Sequence, residues 1–267
     1  DSNIAINTDT TFGGGNGDLT LISTQQNGYA QIGHGGSRTD GNGNFGNKSG
    51  DITIGRIQDV TIRGGSTTDS YAQIGHGGEG GNRGGTAGVI SGNISADILG
   101  ELLMEGGSGT DSFAQIGHGG DNSAYTSSGS IAVSLTGGDD LTMRGGTGDS
   151  SYAQIGHGGN GSLGTGRGHI EVTTQGRLDL LSGTGTYAFT LIGHGGRDNT
   201  AAQGGIDDAD GLANRILVSA SNGISLIGGA TGNFSQIGNG GYNVGGNIVG
   251  SVYVNYNPDT DTLTGGG

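Results

Sequence analysis

Five histidines, His34, His76, His118, His157 and His194, stand at the same place in recurring copies of one phrase, Tyr29-Ala30-Gln31-Ile32-Gly33-His34-Gly35-Gly36. If the copies stack as coils, neighbouring imidazoles lie roughly 5 Å apart. Two of them could then pinch a transition metal with bonds of ~2.0 to 2.1 Å. Such a site needs further ligands, and no Cys or carboxylate shares the register. In the last copy Asn239 replaces His with no other adjustment. The expectation is therefore a ladder of neutral rings, hydrogen-bonded to backbone beside glycines that have no side chain to compete, with no metal. His169 stands outside the column.

The second chemical signal is acidic. Gly106-Gly107-Ser108-Gly109-Thr110-Asp111-Ser112-Phe113-Ala114 fits a nine-residue calcium repeat. That repeat works in tandem, because one half-site gives only part of an oxygen shell. Here it occurs once per unit and drifts between copies, so Asp69, Asp111 and Asp149 are weak calcium candidates beside the plainer reading of Asp capping its own turn. Asp139/Asp140 and Asp207/Asp208/Asp210 are the acids that a glycosidase-like pair could draw on. They sit in Gly-rich or inserted segments, where solvated loop charge explains them. No serine-nucleophile or zinc-protease motif is present, and no enzyme activity is expected.

The phrase returns at Tyr71, Phe113, Tyr152, Phe189 and Phe234. Measured at Ile32, Ile74, Ile116, Ile155, Ile192 and Ile237, the intervals are 42, 42, 39, 37 and 45 residues. Periods of this order belong to solenoids, propellers and arrays. Apolar residues alternate before the Gly pairs (Leu19/Leu21, Val60/Ile62, Leu102/Met104) and again further upstream (Ile4/Ile6, Ile52/Ile54, Ile94/Ala96). Period two means strand. With the motif as a third strand, each unit has three, and the arithmetic is that of a three-sided parallel β-helix of about six full coils plus a partial one. Residues 1–267 read as a single β-helix domain, a segment of or building block for a longer fibre.

Strand parity places Ala30 and Ile32 inward, so that the six motif isoleucines form one aliphatic ladder, each burial worth ~1.5 to 3 kcal/mol. Tyr29 and the Gln31, Gln73, Gln115 and Gln154 ladder then face out. The opposite parity buries the aromatic and Gln ladders instead. From strand two to the motif Ile the distance is 11 or 12 residues throughout, which predicts a fixed turn. From the motif's last Gly to the next strand it varies from 11 to 20. Insertions along one edge of a solenoid commonly form its binding face.

Composition narrows the partners. Gly supplies 66 of 267 residues without a Gly-X-Y triplet, so these glycines punctuate corners rather than build collagen. Ten basic against 24 acidic residues give a net charge of −14, which disfavours nucleic acid and anionic lipid. No apolar run approaches the ~20 residues of a membrane span. With no Cys, disulfides and thiol chemistry are absent.

Segments such as Asp51-Ile52-Thr53-Ile54, Asp59-Val60-Thr61-Ile62-Arg63-Gly64-Gly65 and Ser70-Tyr71-Ala72-Gln73-Ile74-Gly75-His76-Gly77-Gly78 resemble the passenger regions of bacterial filamentous-haemagglutinin-like and autotransporter adhesins. The resemblance covers nearly the whole chain. It implies an all-β, right-handed parallel β-helix, export to the cell surface or beyond, and a role as stalk or adhesive fibre without cofactors. The expected function is a non-enzymatic structural or adhesive rod; the alternatives are a filament subunit stacking end to end and a polysaccharide-processing enzyme. Expected partners are a cell-surface or carbohydrate receptor on the inserted edge, and other copies through the open ends. The first strand starts three residues into the chain and the last coil stops short of its third strand, so the helix is expected to continue beyond both termini.

Overall fold

The computed structural model describes residues 2–6, 17–37, 46–80, 88–205, 214–230, 232–257 and 262–263. Three parallel sheets run the length of these residues, with seven, six and six strands. The first stacks Ile4–Ile6, Ile52–Ile57, Ile94–Ile98, Ile131–Leu135, Ile170–Thr174, Ile216–Ala220 and Val252–Val254. The second begins at Leu19–Ile22 and ends at Ile224–Ile227; the third runs from Tyr29–Ile32 to Ser235–Ile237. This is the three-sided parallel β-helix expected from the alternation.

Register is strict. Ile32, Ile74, Ile116, Ile155, Ile192 and Ile237 are successive partners in the third sheet. They face the main core together with Ala72, Ala114 and Ala153 and the inward residues of the other sheets. The motif column is isoleucine throughout, so identical side chains stack there without steric mismatch, while other columns mix apolar residues, as in Ile54, Ala96, Val133 and Val172.

The corner after the second sheet has the constant length expected. Its turn is closed by one bond repeated up the stack, Gly65 N–H to Ser70 O at 2.7 Å, Gly107 to Ser112 at 2.7 Å, Gly146 to Ser151 at 2.6 Å and Gly183 to Ala188 at 2.7 Å. Asp69, Asp111, Ser150 and Tyr187 each adopt a positive φ of 55 to 61° within it, a conformation that Asp tolerates better than Tyr. Before the first sheet, an Asx column does similar work: Asp51 N–H donates to Asn3 Oδ1, Asn93 N–H to Asp51 Oδ1 and Ser130 N–H to Asn93 Oδ1, at 2.8 to 2.9 Å.

Two expectations need correction. Tyr and Gln of the motif do face away from the main core, but they are not on the surface: Tyr71, Gln73, Phe113, Gln115, Tyr152 and Gln154 are fully buried. The chain after each motif returns across the outer face of the third sheet, so that sheet is buried on both sides. The variable corner is also more than loops. It carries a fourth parallel sheet, Lys48–Ser49, Val89–Ser91, Thr126–Ser128 and Gly166–Arg167. Glycine makes the outer layer fit: a Cβ on Gly78 would lie 2.2 Å from the Tyr71 hydroxyl, and one on Gly75 1.8 Å from the Gly117 carbonyl oxygen. Neither position admits a side chain.

Candidate functional site

The His column is assembled by the motif loops, each of which carries its imidazole into the space between the third and fourth sheets. Ring centroids are 4.8 to 4.9 Å apart from His34 through His194, and the rings are stacked. Each Nδ1 faces a main-chain donor of the preceding coil: His34 N–H to His76 Nδ1 at 2.9 Å, His76 to His118 at 3.0 Å, His118 to His157 at 3.0 Å and His157 to His194 at 3.2 Å. Each Nε2 faces a carbonyl oxygen, of Ser2, Gly50, Gly92, Gly129 or Gly168, at 2.8 to 2.9 Å.

Those partners fix the chemistry. A carbonyl only accepts and an amide N–H only donates, so every ring from His76 to His194 is the neutral Nε2–H tautomer with both nitrogens engaged. No lone pair is left for a metal or a proton transfer. Burial drives the pKa of His118 down to about 3 and that of His194 to about 4, and lowers His157 and His76 as well; charging these rings would cost desolvation and one accepted hydrogen bond each. In the sixth coil Asn239 Oδ1 accepts the His194 N–H at 2.9 Å.

In the Gln column the amide nitrogens are committed, while Gln31 Oε1 and Gln154 Oε1 are buried without a partner. Gln73 Nε2 donates to Gly117 O at 2.9 Å and Gly119 O at 2.8 Å, and Gln115 and Gln154 repeat the pattern one coil on. Outside it runs a stack of Tyr29, Tyr71, Phe113, Tyr152, Phe189 and Phe234, with centroids 4.7 to 5.5 Å apart.

The weak calcium candidates separate. Asp149 Oδ1 accepts the Thr186 N–H at 2.9 Å, a turn contact. Asp69 and Asp111 occupy equivalent turn positions, and Asp111 meets a residue that sequence reasoning missed, Asp121. Asn160 Nδ2 donates to Asp121 Oδ1 at 2.6 Å and lies 3.5 Å from Asp111 Oδ1, while Asn122 donates to Asp121 Oδ2. Burial pushes the Asp111 carboxyl up to about 6, with repulsion from Asp69 adding to it and Ser150 and Arg197 opposing. Burial also raises fully enclosed Asp121 well above the carboxylate range, Asp111 adding to it. Among the described residues no three His, Cys, Asp or Glu side chains converge as a cation would require. The signal that could have exposed this pair was positional: Glu79, Asp121 and Asn160 all follow directly on the motif's last Gly.

The remaining acids do not converge. Asp140 Oδ1 accepts the Arg177 N–H at 2.7 Å and the Asp139 carbonyl accepts from Thr174; Asp207, Asp208 and Asp210 lie outside the described residues, as does much of the inserted edge expected to meet a receptor. A shallow groove follows the constant corner past Ser66, Ser108 and Thr147, flanked by an exposed ion-pair relay in which Glu105 joins Arg63 at 2.7 Å and Arg144 at 3.1 Å. No family model, curated protein or solved structure matches this chain.

Proposed function

We propose that this chain is a non-enzymatic extracellular rod of a bacterial surface protein, structural and adhesive in role. The observation that carries this reading is the state of its chemically capable side chains. The imidazoles and amide nitrogens that recur up the stack bond to main chain of their own or a neighbouring coil. Catalysis needs a group with a free lone pair or a transferable proton near a substrate; here the same groups are neutral, buried and bonded to backbone. The repeat therefore serves length and stiffness, and recognition falls to what lies outside it: the inserted edge and the groove beside Arg63, Glu105 and Arg144.

A filament subunit is the second reading, favoured by the exposed apolar residues of the last strands. Leu226 is 43% exposed and Val252 44% exposed although both point along the core columns. The test of the rod reading is surface labelling. Antibody raised against the purified chain should mark intact cells of the source organism as strongly as permeabilised ones. Labelling only after permeabilisation, or release of reducing ends when the chain is incubated with a panel of polysaccharides, would overturn it.

A further inference from the structure

The groove at the constant corner repeats its chemistry once per coil. In the second, third and fourth coils one bank carries Arg63, Glu105 and Arg144, the outward residues that end the second-sheet strands, and the other carries Ser66, Ser108 and Thr147. A Gly pair forms the floor between them. A Cβ on Gly64 would lie 2.7 Å from the Gly107 nitrogen, and one on Gly106 2.6 Å from that of Gly146, so the floor stays bare backbone. The groove has a volume of about 480 Å³, a size that holds bound ligands elsewhere. It follows the rod axis across four coils, and the stacked imidazoles mark the rise of each coil at 4.8 to 4.9 Å.

The polar groups of this wall are in reserve. Glu105 takes Arg63 Nε on one carboxylate oxygen and Arg144 Nη1 on the other, which holds three side chains in a row. Two nitrogens on each guanidinium and further lone pairs on the carboxylate are left over. Exposed ion pairs of this kind contribute little to folding. Ser66, Ser108 and Thr147 are exposed beside them.

We propose that this groove binds a neutral polysaccharide of 1,4-linked pyranose rings, laid along the rod axis at one sugar per coil. A wall that repeats asks for a ligand that repeats. A pyranose joined through equatorial oxygens at positions 1 and 4 advances by close to one coil per ring, so each sugar meets the same Gly pair, a hydroxyl, and a donor or acceptor from the Arg63, Glu105 and Arg144 row. Sugar hydroxyls both donate and accept, which suits a bank that alternates guanidinium and carboxylate.

Other polymers fit less well. An extended peptide falls out of step, because its like-facing side chains recur at ~6.6 Å. A polyproline segment docks between aromatic walls, and no aromatic residue lines this groove. Single-stranded nucleic acid needs stacking platforms and a cationic track, and any polyanion meets a chain of net charge −14. The assignment rests on the rod reading, which puts the chain outside the cell where such glycans are met, and deepens it by naming the ligand class.

Electrophoresis of the full chain in native gels cast with a dissolved polysaccharide tests it. Glucomannan, galactomannan or hydroxyethylcellulose should retard the chain, while dextran, linked through position 6, should not. Oligosaccharides cut from the polymer that retards best should bind more tightly with each added ring up to four, the number of coils lining the groove, and then level off. Glu105→Ala, which removes a charged hydrogen-bond acceptor, should weaken binding by about tenfold or more. Ser108→Tyr, which fills the groove from its other bank, should weaken it as well. Both should keep the circular dichroism of the parent, and Glu171→Ala on the first sheet should bind as the parent does. No retardation by any of the three 1,4-linked polymers, equal retardation by dextran, retardation by alginate alone, or unaltered retardation of the Glu105→Ala and Ser108→Tyr chains overturns the proposal. Because the gels are run on purified chain, their failure is distinct from failure of surface labelling, which bears on the rod reading itself.

Discussion

The main-chain N–H of His194 donates to Oδ1 of Asn239 at 2.9 Å, the bond that every inner coil makes to an imidazole Nδ1. An amide can take the acceptor's part there because it too presents an sp² acceptor; its donor differs, since Asn239 Nδ2 donates to Val249 O at 2.9 Å rather than to the carbonyl two residues before its own coil's first strand. The column is thus defined by its hydrogen bonds rather than by imidazole chemistry.

From this follows the first prediction. His118→Asn keeps an acceptor for the His76 N–H and should cost about 1 to 3 kcal/mol less than His118→Leu, which strands both that N–H and the Gly92 carbonyl in a buried space at about 1 to 3 kcal/mol each. Urea melts of the two variants compare them. Equal losses would show that ring stacking, not the bonds, holds the column.

The column also sets the response to acid. Burial lowers the pKa of His118 to about 3 and that of His194 to about 4. Folded values below the unfolded ~6.5 mean that the unfolded chain binds more protons in between. This contribution to stability is whole above pH ~6.5 and is lost as pH falls through the folded values. Thermal melts should drop steadily from pH 6.5 to 4, and His118→Asn should flatten that slope. A slope unchanged in the variant would refute the assignment.

Asp111 acts with the opposite sign. Its folded pKa of about 6 lies above the unfolded carboxylate value near ~3.9, so its contribution is favourable below ~3.9 and is lost as pH rises through 6. Asp111→Asn should therefore stabilise the chain at pH 8 and do so progressively less towards pH 4. Differential melts at the two pH values measure it. Stabilisation that does not depend on pH would assign the effect to something other than the carboxyl charge facing Asp121, Asp69 and Glu79.

The sheets were legible in the sequence because an aliphatic residue at every second position has no other use in a chain with so few apolar runs. The isoleucine ladder and the constant corner followed from spacing alone. What stayed hidden was the outer layer, and the reason is physical: it is built largely of glycine, which carries no side-chain pattern to announce burial. Tyr71 and Gln73 therefore read as surface residues although they lie under Gly117, Gly119 and their neighbours. The pairing of Asp111 with Asp121 was hidden for a related reason, since the two sit on different turns and meet only once the chain has folded back over Phe113.

Two adjacent residues of the fifth coil separate the faces of the third sheet. Leu191 occupies the position that is Gln in the other coils and packs with the aromatic stack, while Ile192 faces the main core. Replacing a fully buried Leu by Gln ordinarily costs several kcal/mol, because the amide finds no partners. Here the partners exist by repetition: Gln154 Nε2 reaches Gly193 O and Gly195 O one coil on, and the corresponding oxygens for position 191 are those of Gly238 and Gly240. Leu191→Gln should therefore fall within about 1.5 kcal/mol of the parent chain, offsetting lost apolar burial with satisfied bonds. Ile192→Gln, one residue on, meets only aliphatic neighbours and should lose about 3 kcal/mol or more. Equilibrium urea unfolding of the pair decides it, and equal losses at the two positions would mean that the outer face is packed for leucine in this coil rather than built to receive an amide.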